Sequence, residues 1–382
     1  MTMENILFQY ADLLLAYILS FASAFIAIPI VIKQSKKNNL LDKPDFRKQH
    51  KEPIPTMGGV GIFAGLIVSG FIWIDLLSVR ESIGISVAIS MLLVTGIVDD
   101  IKGLSAVFRL GIQCIGGVLA IQAGLVIHLP SIFQFSVETM MIIEYGVTIF
   151  LIAGVTNAFN LIDGIDGLAG GLGFINASMF GFLFLYFGNT GFAVLSFSFA
   201  AALLAFLKYN FNPARIFMGD TGSLVLGYLM IVFAIKVFNL SYAHTHSNTF
   251  ILLVFSIVLV PVIDTARVFL FRILKGKSPF SADRSHIHHL LLKTGFNHKK
   301  ASLILCFANI VLIVEAYLLR NVDIPLAILL LIVSAIFLIE IISIKRLFKI
   351  RTTVHILYNE YKKGSADNQL LLKYLNEKKK YE

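Results

Sequence analysis

The sequence predicts an all-α membrane protein, a polytopic bundle of about eleven transmembrane helices. Hydrophobic residues make up 57% of the 382-residue chain and charged residues only 14%, whereas an average soluble domain has about 25% charged residues. Apolar runs of roughly 20 residues, the length that crosses a bilayer as a helix, recur along the chain. The basic residues gather in alternate connections between these runs. A soluble fold does not fit this composition.

Each apolar run is a candidate span, because backbone N–H and C=O groups in lipid must be satisfied within their own segment. The first run is longer than a signal-peptide core and has no Lys or Arg before it, so we expect it to be retained as a span. The predicted spans are 11–32, 58–77, 83–98, 106–127, 142–158, 168–187, 190–208, 222–238, 249–272, 302–320 and 324–344.

The basic residues predict the orientation. Segment 33–57 has seven Lys and Arg, segment 273–301 has six, and the chain from Lys345 onward has ten. Because cytoplasmic loops carry the excess of Lys and Arg, these segments are predicted to lie inside. An odd number of spans then places the N-terminus outside and the C-terminus in the cytoplasm. We expect one transmembrane domain over residues 1–350, with cytoplasmic active-site loops, and a basic cytoplasmic tail over 351–382.

Charge and cysteine usage exclude some functions. The net charge of +9 does not indicate a nucleic-acid partner, because the basic residues are divided among loops at the membrane surface. The lipid bilayer is the partner they predict. Cys114 and Cys306 lie inside apolar runs without CxxC or metal-ligand spacing, so neither a disulfide framework nor a zinc site is predicted.

Four connections on the predicted cytoplasmic face carry unusual polar groups. Acidic residues at the ends of spans are costly beside hydrocarbon, which makes them a functional hypothesis. Carboxylates grouped with basic residues and histidines favour a divalent cation together with a phosphate-bearing substrate. The connections contain Asp99-Asp100, NAFNLIDGIDG (157–167), NFNPARIFMGDTGS (210–223) and DRSHIHH (283–289).

The aspartates of these connections suit Mg²⁺, which prefers oxygen ligands and is usually held by one or two carboxylates plus substrate phosphates. For any single aspartate, a helix cap is the alternative. We expect the span after Asp220 to begin near Thr221 or Gly222, with its N-terminus available to an anion. The histidines could instead bind zinc, but without a nearby Cys we favour phosphate contacts. The five candidates are Asp99, Asp100, Asp163, Asp166 and Asp220.

In this order, the motifs resemble those of the bacterial polyprenyl-phosphate N-acetylhexosamine-1-phosphate transferases. The resemblance runs from LLDKPDFRKQHKEPIPTMGG (40–59) through the histidine segment and leaves only the tail past about residue 350 uncovered. The HIHH sequence at 286–289 resembles the WecA and TagO type, whereas the peptidoglycan translocases have a triple-histidine run.

The resemblance implies an Mg²⁺-dependent phosphotransferase of the bacterial cytoplasmic membrane. It would transfer N-acetylglucosamine 1-phosphate from UDP-N-acetylglucosamine to undecaprenyl phosphate, release UMP, and start a cell-envelope polysaccharide such as O-antigen or teichoic acid. Mn²⁺ is an alternative metal. A homodimer is also compatible with the family.

The resemblance also implies residue roles. Asp220 matches the metal ligand of the MGD motif, Asn160 matches a metal-near asparagine, and Asp166 matches the position that recognises the uridine. Asp99 and Asp100 match a pair near the lipid phosphate and the metal. The remaining implied substrate contacts are Arg272, His286, His288 and His289 at the nucleotide phosphates, Asn157, Asp163 and Asn210 as supporting polar residues, and Lys48 in the basic segment 47–51.

Several alternatives stay open at this point. The transfer could be a single in-line displacement or a double displacement through an aspartate nucleophile; we favour the first. Another UDP-N-acetyl sugar could be the donor. A secondary transporter is disfavoured, because the ionisable residues lie at span boundaries and not at mid-span. A CDP-alcohol phosphotransferase is disfavoured because its Asp-Gly and Ala-Arg signature is absent.

Overall fold

The chain is described by a computed structural model over residues 3–42, 53–129, 135–244, 247–278 and 285–338. Lys48 and the predicted tail 351–382 lie outside these ranges. Within them, the protein is a bundle of twelve α-helices with one small β-ribbon. This architecture confirms the all-α, polytopic class.

The helices follow one another with short connections. They are α1 Met3–Lys37, α2 Gly58–Trp73, α3 Val79–Lys102, α4 Ala106–Gln122, α5 Val137–Ile162, α6 Leu168–Tyr186, α7 Thr190–Asn210, α8 Gly219–His244, α9 Asn248–Leu274, α10 Ile287–Lys293, α11 His298–Leu318 and α12 Ile324–Leu338. The ribbon consists of β1 Leu41–Asp42 and β2 Ile54–Pro55, which pair antiparallel.

Eight helices in the described ranges are long and apolar enough to cross a membrane, and α2, α4 and α12 are shorter apolar helices. Each of these eleven lies on one of the predicted segments. How many of them cross the membrane, and on which side the termini lie, stay predictions.

Helix α8 forms the centre of the bundle. Its side chains are buried continuously from Thr221 to Ile235, and α2, α3, α5, α6 and α9 pack around it. A helix that is apolar on all sides is expected at such a position. The outer helices instead expose large apolar side chains, among them Phe71, Val107 and Phe150. Such a large apolar surface is unfavourable in water, so we expect it to face lipid.

The helices extend past the predicted spans at one end of the bundle. Asp99 and Asp100 lie in the last turn of α3 and Asn160 lies within α5, although all three fall beyond the predicted spans 83–98 and 142–158. Helix α8 begins at Gly219, before the predicted start. The helical backbone continues beyond the apolar window because these polar side chains bind groups on α4 and α8.

The histidine segment departs from the prediction in the same way. It was predicted as part of an open connection, whereas His286 is the N-cap of the two-turn helix α10. Burial of Ile287, His288 and Leu291 against the bundle explains why so short a helix forms.

Close helix crossings hold the N-terminus of α8 in place. A Cβ atom on Gly59 of α2 would overlap the backbone of Gly222, and one on Gly96 of α3 would overlap Thr221. Small residues permit this approach between membrane helices. Strand β2, just before α2, is hydrogen-bonded to the segment that precedes α8: the Phe217 amide donates to the Pro55 carbonyl at 2.8 Å.

Candidate active site

The predicted polar residues converge at one end of the bundle. This end contains the last turns of α3, α5, α7 and α9 together with the first turns of α8 and α11. Antiparallel neighbours bring these termini together although they are far apart in sequence.

An arginine joins two of the predicted carboxylates. Nη1 of Arg109, in the first turn of α4, lies 2.8 Å from Oδ2 of Asp99 and 3.1 Å from Oδ2 of Asp220. The guanidinium thus bridges α3 and α8, with Asp99 buried and Asp220 partly exposed. Charge-assisted contacts of this kind are among the stronger protein hydrogen bonds.

Asp100 caps helix α8. Its carboxylate accepts from the Asp220 amide at 2.9 Å, from the Thr221 amide at 3.2 Å and from the Thr221 hydroxyl at 2.6 Å. The helix N-terminus predicted to be available to an anion is therefore filled by a side chain of the protein itself. A carboxylate at this position is favoured by the unpaired amides and the helix dipole.

Asn160 reaches the same centre from α5. Its amide nitrogen donates to Oδ1 of Asp220 and, at 2.8 Å, to the hydroxyl of Ser223. Asn157 lies one turn earlier and Asp163 is the C-cap of α5, so the three polar residues recur at a spacing of three along one side of the helix.

Asp163 lies in an electrostatically unfavourable place. Burial raises the pKa of Asp163 to about 8, and three neighbouring carboxylates add to the shift, those of Asp220, Asp100 and Asp166. Its turn ends at Gly167, which has a φ of 76°, a conformation that favours glycine. Asn210 holds this turn: its Oδ1 accepts from the Gly167 amide at 2.8 Å, and its Nδ2 donates to the Ile216 carbonyl. In this structure Asn210 is a supporting residue.

Asp166 is bound by the loop between α7 and α8 and by α11. Its carboxylate accepts from Asn212 Nδ2 at 3.0 Å and the Ala214 amide at 3.1 Å, and lies 2.8 Å from Nδ1 of His298. Burial alone would raise the pKa of Asp166, but these partners outweigh it and hold the pKa below its ordinary value. Asp166 therefore stays ionised at neutral pH.

A cavity of about 890 Å³ adjoins Asp166. Its size suits a small-molecule ligand, and its lining combines polar and apolar side chains. Arg215 lies there over the ring of Tyr209, with 4.8 Å between guanidinium carbon and ring centroid. The polar lining residues include Asp166, Asn212, Arg215, His298 and Lys36.

The three histidines of the HIHH segment lie in different surroundings. Nδ1 of His286 is 2.9 Å from the buried carboxylate of Asp264 on α9. His288 packs with Nε2 against Gly164, in the turn that carries Asp163. Burial lowers the pKa of His288 to about 3, so its ring is neutral. The ring of His289 lies tilted against that of His288, with ring centroids 4.2 Å apart. Phosphate contacts of these residues stay a prediction.

The two arginines of α9 also differ. Arg272 is buried in the last turn, 5.8 Å from the ring centroid of Phe269. Arg267 was not predicted, yet it contacts the histidine segment: Nη2 donates to the Ser285 carbonyl at 2.6 Å and lies 3.1 Å from Asp264. The predicted contact of Arg272 with the nucleotide phosphates stays untested.

Comparison with known proteins identifies the family. Residues 82–238 match Glycosyl transferase family 4. The chain is 35% identical over 330 residues, 85% of its length and 90% of the relative's, to a Bacillus subtilis (strain 168) protein named "Probable undecaprenyl-phosphate N-acetylglucosaminyl 1-phosphate transferase". The chain belongs to this family. It is also 32% identical over 283 residues, covering 72% of this chain and 75% of the relative, to the "Undecaprenyl-phosphate alpha-N-acetylglucosaminyl 1-phosphate transferase" of Escherichia coli (strain K12).

The matched range of the family 4 transferase contains all five predicted aspartates and Arg109. The histidine segment and its partner Asp264 lie beyond it. The candidate site thus combines the family region with the following helices α9 to α11 and, at the cavity, with residues of α1 and β2.

The donor set of the transferase fits a magnesium ion. Asp99 and Asp220 bring carboxylate oxygens to Arg109 Nη1, Asn160 lies beside Asp220, and no thiol is among these residues. The described residues hold no group of three or more His, Cys, Asp or Glu side chains arranged as a metal cage. Mg²⁺ does not need one, since it commonly takes one or two carboxylates and completes its shell with water and substrate phosphates.

Contributors to the site that were not found from the sequence include Arg109, Asp264, Arg267 and His298. Arg109 and Asp264 fall inside predicted apolar spans, and an ionisable residue within a span is itself a signal of function. His298 carries no comparable signal, because its partner Asp166 is 132 residues away.

Proposed function

We propose that this transferase moves N-acetylglucosamine 1-phosphate from UDP-N-acetylglucosamine to undecaprenyl phosphate. The observation that carries the proposal is the contact of Asp99, Arg109 and Asp220, which places two carboxylates and a cation together at one end of a membrane bundle. The relatives' names supply the sugar and the lipid. The UDP donor and the UMP product follow from the family.

In the proposed reaction, a phosphate oxygen of the lipid attacks the sugar-linked phosphorus of the donor. A new P–O bond forms, the P–O bond to UMP breaks, and UMP leaves with the bonding electrons. The attacking group needs little help to lose its proton, because a phosphate monoester has a second pKa of about 6. Positioning and charge neutralisation are therefore the main tasks of the protein.

Asp220 and Asp99, with Asn160, are the residues that would hold Mg²⁺. When bound there, the ion would neutralise pyrophosphate oxygens and stabilise charge on the leaving UMP. Mn²⁺ would serve in the same place. Asp100 contributes differently, since it fixes the first turn of α8 and so the direction of Asp220.

The other residues divide between the two substrates. We assign the lipid phosphate to Arg109, whose guanidinium joins Asp99 and Asp220. The cavity beside Asp166 takes the nucleoside, with Arg215 at its wall. We assign the donor phosphates to the histidine segment, in which His286 is held by Asp264.

We favour a single displacement. Asp100 accepts hydrogen bonds from the first turn of α8, and Asp99 accepts one from Arg109. Among the described residues, both paired aspartates are therefore already engaged and poorly placed to act as a nucleophile. Enzyme incubated with UDP-N-acetylglucosamine and labelled UMP, without lipid, should show no exchange of label into the donor. Exchange without acceptor would indicate a covalent intermediate.

We further propose that the protein lies in the bacterial cytoplasmic membrane with this end toward the cytoplasm, where UDP-sugars are made. A homodimer stays a prediction, to be checked by the mass of the detergent-solubilised protein.

The proposal is tested with purified protein, Mg²⁺, undecaprenyl phosphate and a panel of UDP-sugars, with UMP release as the readout. UDP-N-acetylglucosamine should be the preferred donor. Asp220→Asn should lower turnover at least about a hundredfold, a usual loss when a charge-stabilising group is removed. Asp323→Asn, an exposed aspartate at the opposite end of the bundle, is the matched control. Normal turnover of Asp220→Asn would exclude the metal assignment.

A further inference from the structure

Asp264 is a deeply buried carboxylate that the proposed mechanism has not used. Its side chain is about 1% exposed and lies in α9, three residues after Pro261. An ionised group in such surroundings is retained only when charged or hydrogen-bonding partners compensate for the lost water. The partners of Asp264 therefore indicate its purpose.

Among the described residues, its longer-range hydrogen-bond partners lie at positions 286 and 287 of the histidine segment. Oδ2 lies 2.9 Å from Nδ1 of His286, and Oδ1 accepts from the Ile287 amide at 2.9 Å. Arg267, one turn further along α9, pairs with Asp264 and donates to the Ser285 carbonyl. The two α9 residues together fix three consecutive positions, 285 to 287.

This arrangement fixes the direction of the His286 ring. With Nδ1 bonded to a carboxylate, Nε2 is the nitrogen left for a substrate, and the carboxylate determines which tautomer is present. The segment is also joined to the carboxylate cluster, because His288 packs against Gly164 in the turn of Asp163. A shift of the segment would therefore displace His286 relative to the reacting phosphates.

We propose that Asp264 is a positioning residue of the transferase that acts through His286, holding Nε2 toward the phosphates of the nucleotide-sugar donor. This inference rests on the proposed function. Arg267 assists by completing the ion pair and holding Ser285. Asp264 is not itself in contact with substrate.

The test is a double-mutant cycle of Asp264→Asn and His286→Ala, with kcat and KM measured for the UDP-sugar. In the presence of His286, Asp264→Asn should lower kcat/KM about ten- to a hundredfold, the usual effect of losing a residue that orients a functional histidine. In the His286→Ala background, Asp264→Asn should lower kcat/KM less than about threefold. Donor binding by calorimetry provides the same cycle where turnover is too slow.

Equal losses in both backgrounds would overturn the proposal, because Asp264 would then act without His286, as a merely structural ion pair. Wild-type kinetics of Asp264→Asn would overturn it as well. Glu81→Gln is the control: it removes the carboxylate from the ion pair of Glu81 with Lys236, which is partly buried and far from the site. This control should leave kinetics unchanged.

If Asp264→Asn does not yield folded protein, Asp264→Glu takes its place in the cycle. It keeps the charge but displaces the carboxylate by one methylene, and it should again lose activity only when His286 is present. Failure of the wild-type protein to transfer any sugar phosphate would instead refute the proposed function, so the two failures are distinguishable.

Discussion

Asp163 and its neighbours explain why this site should respond to pH. The pKa of an aspartate in the unfolded chain is 3.8, whereas burial and neighbouring carboxylates raise the pKa of Asp163 in the folded protein to about 8. Between these values the folded state holds more protons than the unfolded state, so the free energy of unfolding falls as pH rises. We expect the Tm of the Mg²⁺-free protein to fall by on the order of 5 °C from pH 5 to pH 8.

Mg²⁺ should reverse this loss. A cation at the cluster favours the ionised carboxylates and releases the proton, so it should raise Tm more at pH 8 than at pH 6. Differential scanning fluorimetry in detergent measures both effects. Asp163→Asn should flatten the pH dependence, while the exposed Asp323→Asn should not. An unchanged slope in Asp163→Asn would show that another group is responsible.

Arg109 carries the second prediction at the residue scale. Removing the guanidinium leaves Asp99 and Asp220 without their shared partner and the lipid phosphate without a cation. Arg109→Ala should lower kcat/KM for undecaprenyl phosphate about ten- to a hundredfold, from loss of a charged hydrogen bond of about 1.5–3 kcal/mol. Arg109→Lys, which keeps the positive charge, should recover part of the lost kcat/KM.

The control for this change is Arg80→Ala, which removes an arginine that binds the Gln122 carbonyl at the other end of the bundle. Steady-state kinetics with each substrate varied separates the lipid from the donor. A loss confined to the KM of the UDP-sugar would place Arg109 on the donor side.

At the scale of elements, the position of Asp220 depends on how closely α2 and α3 approach α8. Gly59 meets the Gly222 backbone, so Gly59→Ala must push α2 away, with an overpacking cost of about 1–3 kcal/mol. We expect a lower Tm and reduced turnover, since the first turn of α8 would move. Gly70→Ala in the same helix has open space around the added methyl.

Gly70→Ala should therefore be neutral or slightly stabilising, as alanine is the better helix former. Comparing the two variants by thermal unfolding and UMP release tests the crossing and not merely the loss of a glycine. If both variants behave alike, the close approach of α2 to α8 is not what orders the site.

At the scale of the molecule, the prediction concerns orientation in the membrane. A matched pair of exposed positions flanks this crossing: Lys299 in the first turn of α11, at the active-site end, and Asn321, three residues after the end of α11. In a background without Cys114 and Cys306, Asn321→Cys should react with an impermeant thiol reagent on intact cells, and Lys299→Cys only after lysis. The reverse labelling would place the site outside.

Much of this architecture could be predicted from the chain alone. Span positions follow from the length of apolar runs, and the grouping of Asp99, Asp163 and Asp220 at one end follows from counting spans between them. Both are local or arithmetic properties, since a helix rises by a fixed 1.5 Å per residue and each crossing reverses direction. The motifs around these residues were enough to indicate the family.

What only the tertiary structure decided is which of these groups bind one another. Asp100 proved to cap α8 through residues 120 and 121 positions away, and Arg109 and Asp264 proved to hold Asp220 and His286. Such pairs depend on the distance and rotation at which two helices cross. Those are set by the packing of many small contacts around α8, and no local pattern in the sequence encodes them.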